Sequence, residues 1–186
     1  MSSLVVTVTG SPSEASRTAR LAWQVGQVLA GPDFEVQHIN VRDLPAEDVL
    51  AARSDAPALR GPLASIERAR GVVVATPIYK ASYSGVLKSF LDLLPQFGLA
   101  GKVVLPLATG GTPAHVLAID YALRPVLLSL GAQHVVAGLF LHDKLIELEP
   151  GGAGVRLQQD LQDRLGAVIV DFATSLRRVA TAATKR

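Results

Sequence analysis

Short β-branched apolar runs alternate along this chain with longer stretches whose apolar residues recur at helical spacing. That alternation leaves few folds open. Leu4-Val5-Val6-Thr7-Val8-Thr9 ends at Gly10 and reads as a strand buried on both faces. Residues 16–30 place Ala19, Leu21, Ala22, Trp23, Val25, Val28 and Leu29 on a helical period, with Ser16 as N-cap and Gly31-Pro32 as the stop. Residues 34–39 read as a second strand, 40–55 as a loop with a helical turn from Ala46, and 58–69 as an amphipathic helix. The pattern continues with a strongly apolar strand at 71–76, a helix at 84–94, a strand at 102–108 and a long helix at 113–130 carrying Pro125. A strand at 132–140 and a helix at 155–179 close it, joined by an exposed loop containing Gly151, Gly152 and Gly154. Strands and helices in strict alternation give a parallel sheet covered on both faces. Right-handed crossovers prune its topologies further. The expectation is one α/β domain over residues 1–186, built on a doubly wound five-stranded parallel sheet.

In such a sheet, ligands bind beyond the carboxyl ends of the strands, at the switch point. Three loops therefore matter. The first, residues 10–18, joins a strand to a helix N-terminus, where unpaired N–H groups and the helix dipole favour an anion. Ser11, Ser13, Ser16 and Thr18 add hydroxyls and Arg17 a guanidinium. The loop lacks the Lys-Ser/Thr ending of a nucleoside-triphosphate loop and the Gly-x-Gly-x-x-Gly dinucleotide fingerprint. A hydroxyl-rich anion site suits a mononucleotide with a terminal monophosphate; a plain capped helix with a polar loop is the other reading. The second loop, Thr76-Pro77-Ile78-Tyr79-Lys80 through Gly85, offers backbone amides, two tyrosines and a lysine to the edge of a flat ring. Tyrosines filling a helix–sheet seam, with Ser84 capping the next helix, is the alternative there. The third, Thr109-Gly110-Gly111-Thr112, allows close backbone approach. His115 beside it reads as a residue at the ring's edge or on the helix surface.

Composition excludes several classes. Hydrophobic residues make up 49% of the 186 and charged ones 18%, too apolar for a disordered chain. The net charge is +2, and the basic residues gather at the tail (Arg177, Arg178, Lys185, Arg186) without interleaved aromatics, so no nucleic-acid partner is expected. There is no cysteine, hence no disulfide, thiolate metal site or cysteine nucleophile. His38, His134 and His142 lack carboxylates at ligand spacing, and no metal is expected. No apolar run reaches membrane-spanning length and no signal-peptide pattern precedes the first strand, so a soluble cytoplasmic protein is expected.

Gly10-Ser11-Pro12 with Ser16-Arg17-Thr18, Thr76-Pro77-Ile78-Tyr79-Lys80 and Leu105 through Gly111 together resemble the NADPH-dependent FMN reductase family. The resemblance extends to Tyr83-Ser84-Gly85, residues 91–95 and residues 120–127, and fades beyond Phe140. Within the family it resembles most the reductases of two-component alkanesulfonate monooxygenase systems. It implies a flavodoxin-like fold and hydride transfer from the nicotinamide C4 of NADPH, or NADH, to the N5 of FMN, with no indispensable acid, base or nucleophile. It implies that Ser11, Ser16 and Thr18 bind the FMN phosphate, that Pro77, Ile78, Tyr79 and Lys80 line the ring, and that Thr109, Gly110, Gly111 and Thr112 stand at its other edge; Arg17 reads either as a contact to the phosphate of one of the two nucleotides or as an exposed helix-surface arginine. It also implies a partner FMN-dependent monooxygenase, a homodimer or tetramer, and a π-bulge around Tyr121 at a subunit interface near the flavin. A flavin-bound quinone or azo-dye reductase, and a flavodoxin-like electron carrier, are the alternatives on the same fold.

Overall fold

The computed structural model describes residues 2–151 and 154–183. Gly152 and the tail cations Lys185 and Arg186 lie outside the described residues. The chain runs β1 (Ser3–Thr9), α1 (Arg17–Leu29), β2 (Phe34–Asn40), α2 (Ala46–Leu50), α3 (Pro57–Arg68), β3 (Gly71–Tyr79), β4 (Ser82–Tyr83) and α4 (Gly85–Leu91). It continues β5 (Val103–Gly110), α5 (Arg124–Ser129), β6 (His134–Val135), β7 (Leu139–His142), β8 (Ile146–Leu148), β9 (Val155–Leu157) and α6 (Gln159–Ala183). The main sheet path is β2-β1-β3-β5-β6, parallel throughout.

Burial on both faces explains the apolar strands. Val5, Val73, Val103 and Leu105 face α1 and α6, where Leu21, Val25, Leu165 and Phe172 complete one core. Val6, Val72, Val74 and Val104 face the other way, against Leu59 of α3, Leu87 and Phe90 of α4 and Leu127 of α5. Each large side chain buried in this manner contributes roughly 1.5–3 kcal/mol. The doubly wound arrangement thus follows from the period-two alternation of side chains along buried strands.

The sheet has seven strands, not five. The expected final strand is broken into β6 and β7, both paired to β5. Pro106 supplies the reason. Val136 N–H donates to Val104 O at 3.0 Å, so Val104 turns its polar groups toward this neighbour. Pro106, two residues on, turns the same way and has no N–H to give. The extra strand β4 pairs antiparallel with the end of β3, which runs three residues further than expected.

Two expected helices also differ. Residues 113–130 are not one helix: a 3-10 turn at Pro113–His115 precedes a π-helix at Ile119–Leu123, and only Arg124–Ser129 is α-helical. Arg124 N–H donates to Ile119 O, five residues back. In an unbroken α-helix Pro125 would press its ring on the Tyr121 carbonyl and leave it without a donor; the wider turn just before the proline relieves both. The last helix begins at Gln159, because residues 155–157 form β9 and pair antiparallel with β8.

Candidate functional site

Gly10, Tyr79 and Gly110 bring the three loops to one end of the sheet, where β1 and β3 lie side by side. The first loop is fastened tightly. Gly10 N–H donates to Ala75 O at 3.0 Å, and the Ser84 hydroxyl donates to Gly10 O. A Cβ on Gly10 would collide with Leu87 Cβ, so α4 can pack against this turn only because residue 10 has no side chain. Thr76 Oγ1 accepts from Ser84 N–H at 3.0 Å and donates to Pro77 O at 2.9 Å, which ties the second loop to the start of α4. Ser84 also caps α4, accepting from Leu87 N–H.

A cleft of about 180 Å³ opens between these loops, lined by Ser11, Ser13, Ser16, Arg17, Thr18, Pro77, Ile78, Tyr79, Thr109 and Asp143, with Ala15 at its edge. Ser11, Ser16, Thr18 and Thr109 are buried in it. Ser16 Oγ accepts from Ala19 N–H at 3.0 Å as the N-cap of α1, which leaves its own O–H proton to donate. Thr18 Oγ1 and Thr109 Oγ1 lie 2.7 Å apart, joining the first loop to the third. One proton bridges that pair and the other remains available. Ser11 Oγ accepts from Ser13 N–H at 3.4 Å. Arg17 is exposed, and its Nε donates to Ile146 O at 3.0 Å, which fixes the stem of the guanidinium at the cleft wall.

Eight of the residues expected at the site therefore share one cleft: Ser11, Ser16, Arg17, Thr18, Pro77, Ile78, Tyr79 and Thr109. Lys80, Gly110, Gly111 and Thr112 stand outside its lining. Lys80 is the first residue of a two-residue hairpin tip between β3 and β4, and both Lys80 (φ 50) and Ala81 (φ 64) have left-handed backbone. Gly110 ends β5 beneath the Phe140 ring, and Thr112 caps the following 3-10 turn. His115 points its Nδ1 inward toward Gly110, and that nitrogen is buried with no hydrogen-bond partner among the described residues. Tyr121 lies in the middle of the π-helix and is 78% exposed.

Asp143 was missed as a site residue. Asp143 follows the last residue of β7, which delivers it to the same sheet edge as the other loops. The signal was present: a polar turn following the last parallel strand occupies the ligand edge by topology. Among the described residues, no group of three or more His, Asp or Glu could hold a metal ion. No helix there is long and apolar enough to cross a membrane.

The strand order, with the hydroxyl-lined cleft at the β1/β3 switch point, defines an α/β protein of the flavodoxin-like class. Residues 3–145 match the NADPH-dependent FMN reductase family, and the chain belongs to that family. It is 46% identical to an FMN reductase (NADPH) of Escherichia coli over 175 residues, covering 94% of this chain and 90% of that one. An FMN reductase (NADPH) of Pseudomonas putida is also 46% identical, with 94% and 89% covered. The crystal structure of an apo NADH:FMN oxidoreductase superimposes with a TM-score of 0.85 at 44% identity, covering 94% of this chain and 90% of that one.

Proposed function

We propose that the chain acts as a single domain that reduces FMN with NADPH, NADH being a second donor. The observation that carries this reading is the cleft's donor set. The first and third loops supply hydroxyl protons at Ser11, Ser16 and the Thr18–Thr109 pair, at the N-terminus of a 13-residue helix. Such a set suits a phosphate monoester. One exposed arginine and no lysine line the cleft, and a clamp of hydroxyls holds a dianion less rigidly than an ionic cage. That fits a flavin which exchanges with solvent.

FMN held there would supply the redox chemistry, as a hydride acceptor for the nicotinamide. The chain's own residues bind and orient. Ser11, Ser16 and Thr18 donate to phosphate, with Arg17 adding charge. Pro77 and Ile78 give a rigid, buried wall. Tyr79 is half-exposed beside them, so that side of the cleft stays open to a second ring. Lys80, Gly110, Gly111 and Thr112 form the outer rim, and Asp143 adds an acceptor at the third-loop side. No side chain is required to move a proton in the hydride step.

The reduced flavin passes to an FMN-dependent monooxygenase, of the alkanesulfonate type on the family resemblance, in the sulfur metabolism of the cytoplasm. Self-association through the exposed π-helix around Tyr121 accompanies that role. Replacing Ser16 and Thr18 together by alanine tests the phosphate clamp. We expect the Kd for FMN to rise by about tenfold or more, since hydrogen bonds to charged groups contribute about 1.5–3 kcal/mol each. The Kd for riboflavin, which has no phosphate, changes little. An equal loss for both flavins contradicts the assignment.

A further inference from the structure

A second cavity of about 470 Å³ opens on the β2 side of α1 and is more than twice the volume of the cleft. That volume lies within the range of small-molecule sites. Its floor is polar where a buried parallel strand is expected to be apolar. In β1, Thr7 and Thr9 are both buried, and each is paired in register with a polar residue of β2, His38 and Asn40. Thr7 Oγ1 and His38 Nδ1 are 2.6 Å apart, and Thr9 Oγ1 donates to Asn40 Oδ1 at 2.9 Å. Valine pairs would satisfy the sheet without any polar group to pair, so the row is not needed for the fold.

The walls are aromatic and cationic. Trp23, the single tryptophan of the chain, lines the cavity and is 38% exposed. Gly26, one turn further along α1, lies against the His38 ring, and any Cβ there would collide with the ring's Cε1. The helix is thus notched to seat an imidazole on the same flank as the indole. Burial holds the His38 pKa below its ordinary value, so the ring is neutral at pH 7. The standing charge at the cavity is that of Arg20, whose Nη1 donates to Glu149 O at 3.1 Å and is held in place.

We infer that this cavity is a second ligand site, taking a planar heteroaromatic ring that carries a phosphate, the chemistry of an adenosine monophosphate. Flat ligand rings stack on indole and imidazole faces. The Thr9–Asn40 floor presents polar edges to the ring, and Arg20 meets the anion. Two sources share this chemistry: the adenosine end of the dinucleotide substrate, which rests on the reductase reading, and a free nucleotide, which does not.

Trp23 is its own reporter. Flavin-free protein is titrated with adenosine 2′-monophosphate, adenosine 5′-monophosphate and adenosine while indole emission is followed. We expect saturable quenching. Arg20→Glu should weaken both monophosphates by about tenfold or more and adenosine by less than about twofold. The Ser16→Ala/Thr18→Ala variant should leave these constants unchanged, which separates the cavity from the cleft. A ligand that raises the KM for NADPH during turnover assigns the cavity to the dinucleotide. Quenching with that KM unchanged assigns it to a separate nucleotide. If NADPH is not oxidised at all, the reductase reading fails while the titration still stands. No saturable change at millimolar ligand, or quenching indifferent to Arg20→Glu, overturns the proposal.

Discussion

Ser16 and His38 illustrate how single polar groups on α1 and its neighbours serve fold and site together. Ser16 Oγ uses its lone pair to cap α1 and leaves its proton free to donate, so one hydroxyl has the capacity for both the cap and the proposed ligand contact. Its position was legible in sequence, because a serine before an apolar helical period is an N-cap signature and the same loop leaves a strand at the ligand edge. His38 was not legible as anything but a stray histidine. Only the β1–β2 register sets it opposite Thr7, and only Gly26 gives its ring room. Burial disfavours the charged imidazole and holds its pKa below the usual 6.5. The unfolded chain therefore binds that proton more readily, and stability rises with pH. This contribution is complete above about pH 6.5 and is lost as pH falls through that value toward the folded pKa. Urea unfolding at neutral and mildly acidic pH should show a larger fall in midpoint for the wild type than for His38→Gln. An identical fall in both would contradict the assignment.

The elements divide into those dictated by periodicity and those dictated by tertiary contact. β1, β3, β5 and α1 have long, unambiguous patterns and lie where the pattern places them, to within a few residues. The departures occur at prolines and at very short strands. Pro106 splits a lane of the sheet, and Pro125 coincides with the π-helix, which the family resemblance implies around Tyr121 but periodicity does not show, because a missing N–H matters only once the neighbouring strand or turn is known. The pair β8 and β9, three residues each, is too short to show any period. Lys80 and Ala81 are a further case. A two-residue hairpin with both residues left-handed ordinarily uses Asn-Gly, and neither residue here advertises a turn. Left-handed backbone costs a non-glycine residue about 1–2 kcal/mol, whereas a glycine adds up to about 1 kcal/mol of unfolded-state entropy. Ala81→Gly should therefore stabilise the protein by roughly 0.5–1 kcal/mol, a rise of about 1–4 °C in Tm. A lower Tm would show that the tip is not strained.

At the scale of the molecule, three loops from three parallel strands meet at one switch point, and the two cores beneath them hold those loops in register. α1 is shared by both cavities: its first turn lines the hydroxyl cleft, and Ala19, Arg20 and Trp23 line the cavity beside β2. The exposed apolar residues Leu117, Tyr121 and Leu128 lie on the segment that includes the π-helix, where self-association would cover them. These features fit the proposed account of a flavin reductase that grips FMN by its phosphate and lets it go. The most direct test is the loss of NADPH absorbance in the purified, folded protein, with FMN or riboflavin added. The account predicts NADPH oxidation that depends on added flavin, saturates with FMN, and shows a lower KM for FMN than for riboflavin. Folded protein that oxidises neither NADPH nor NADH with any flavin would contradict it.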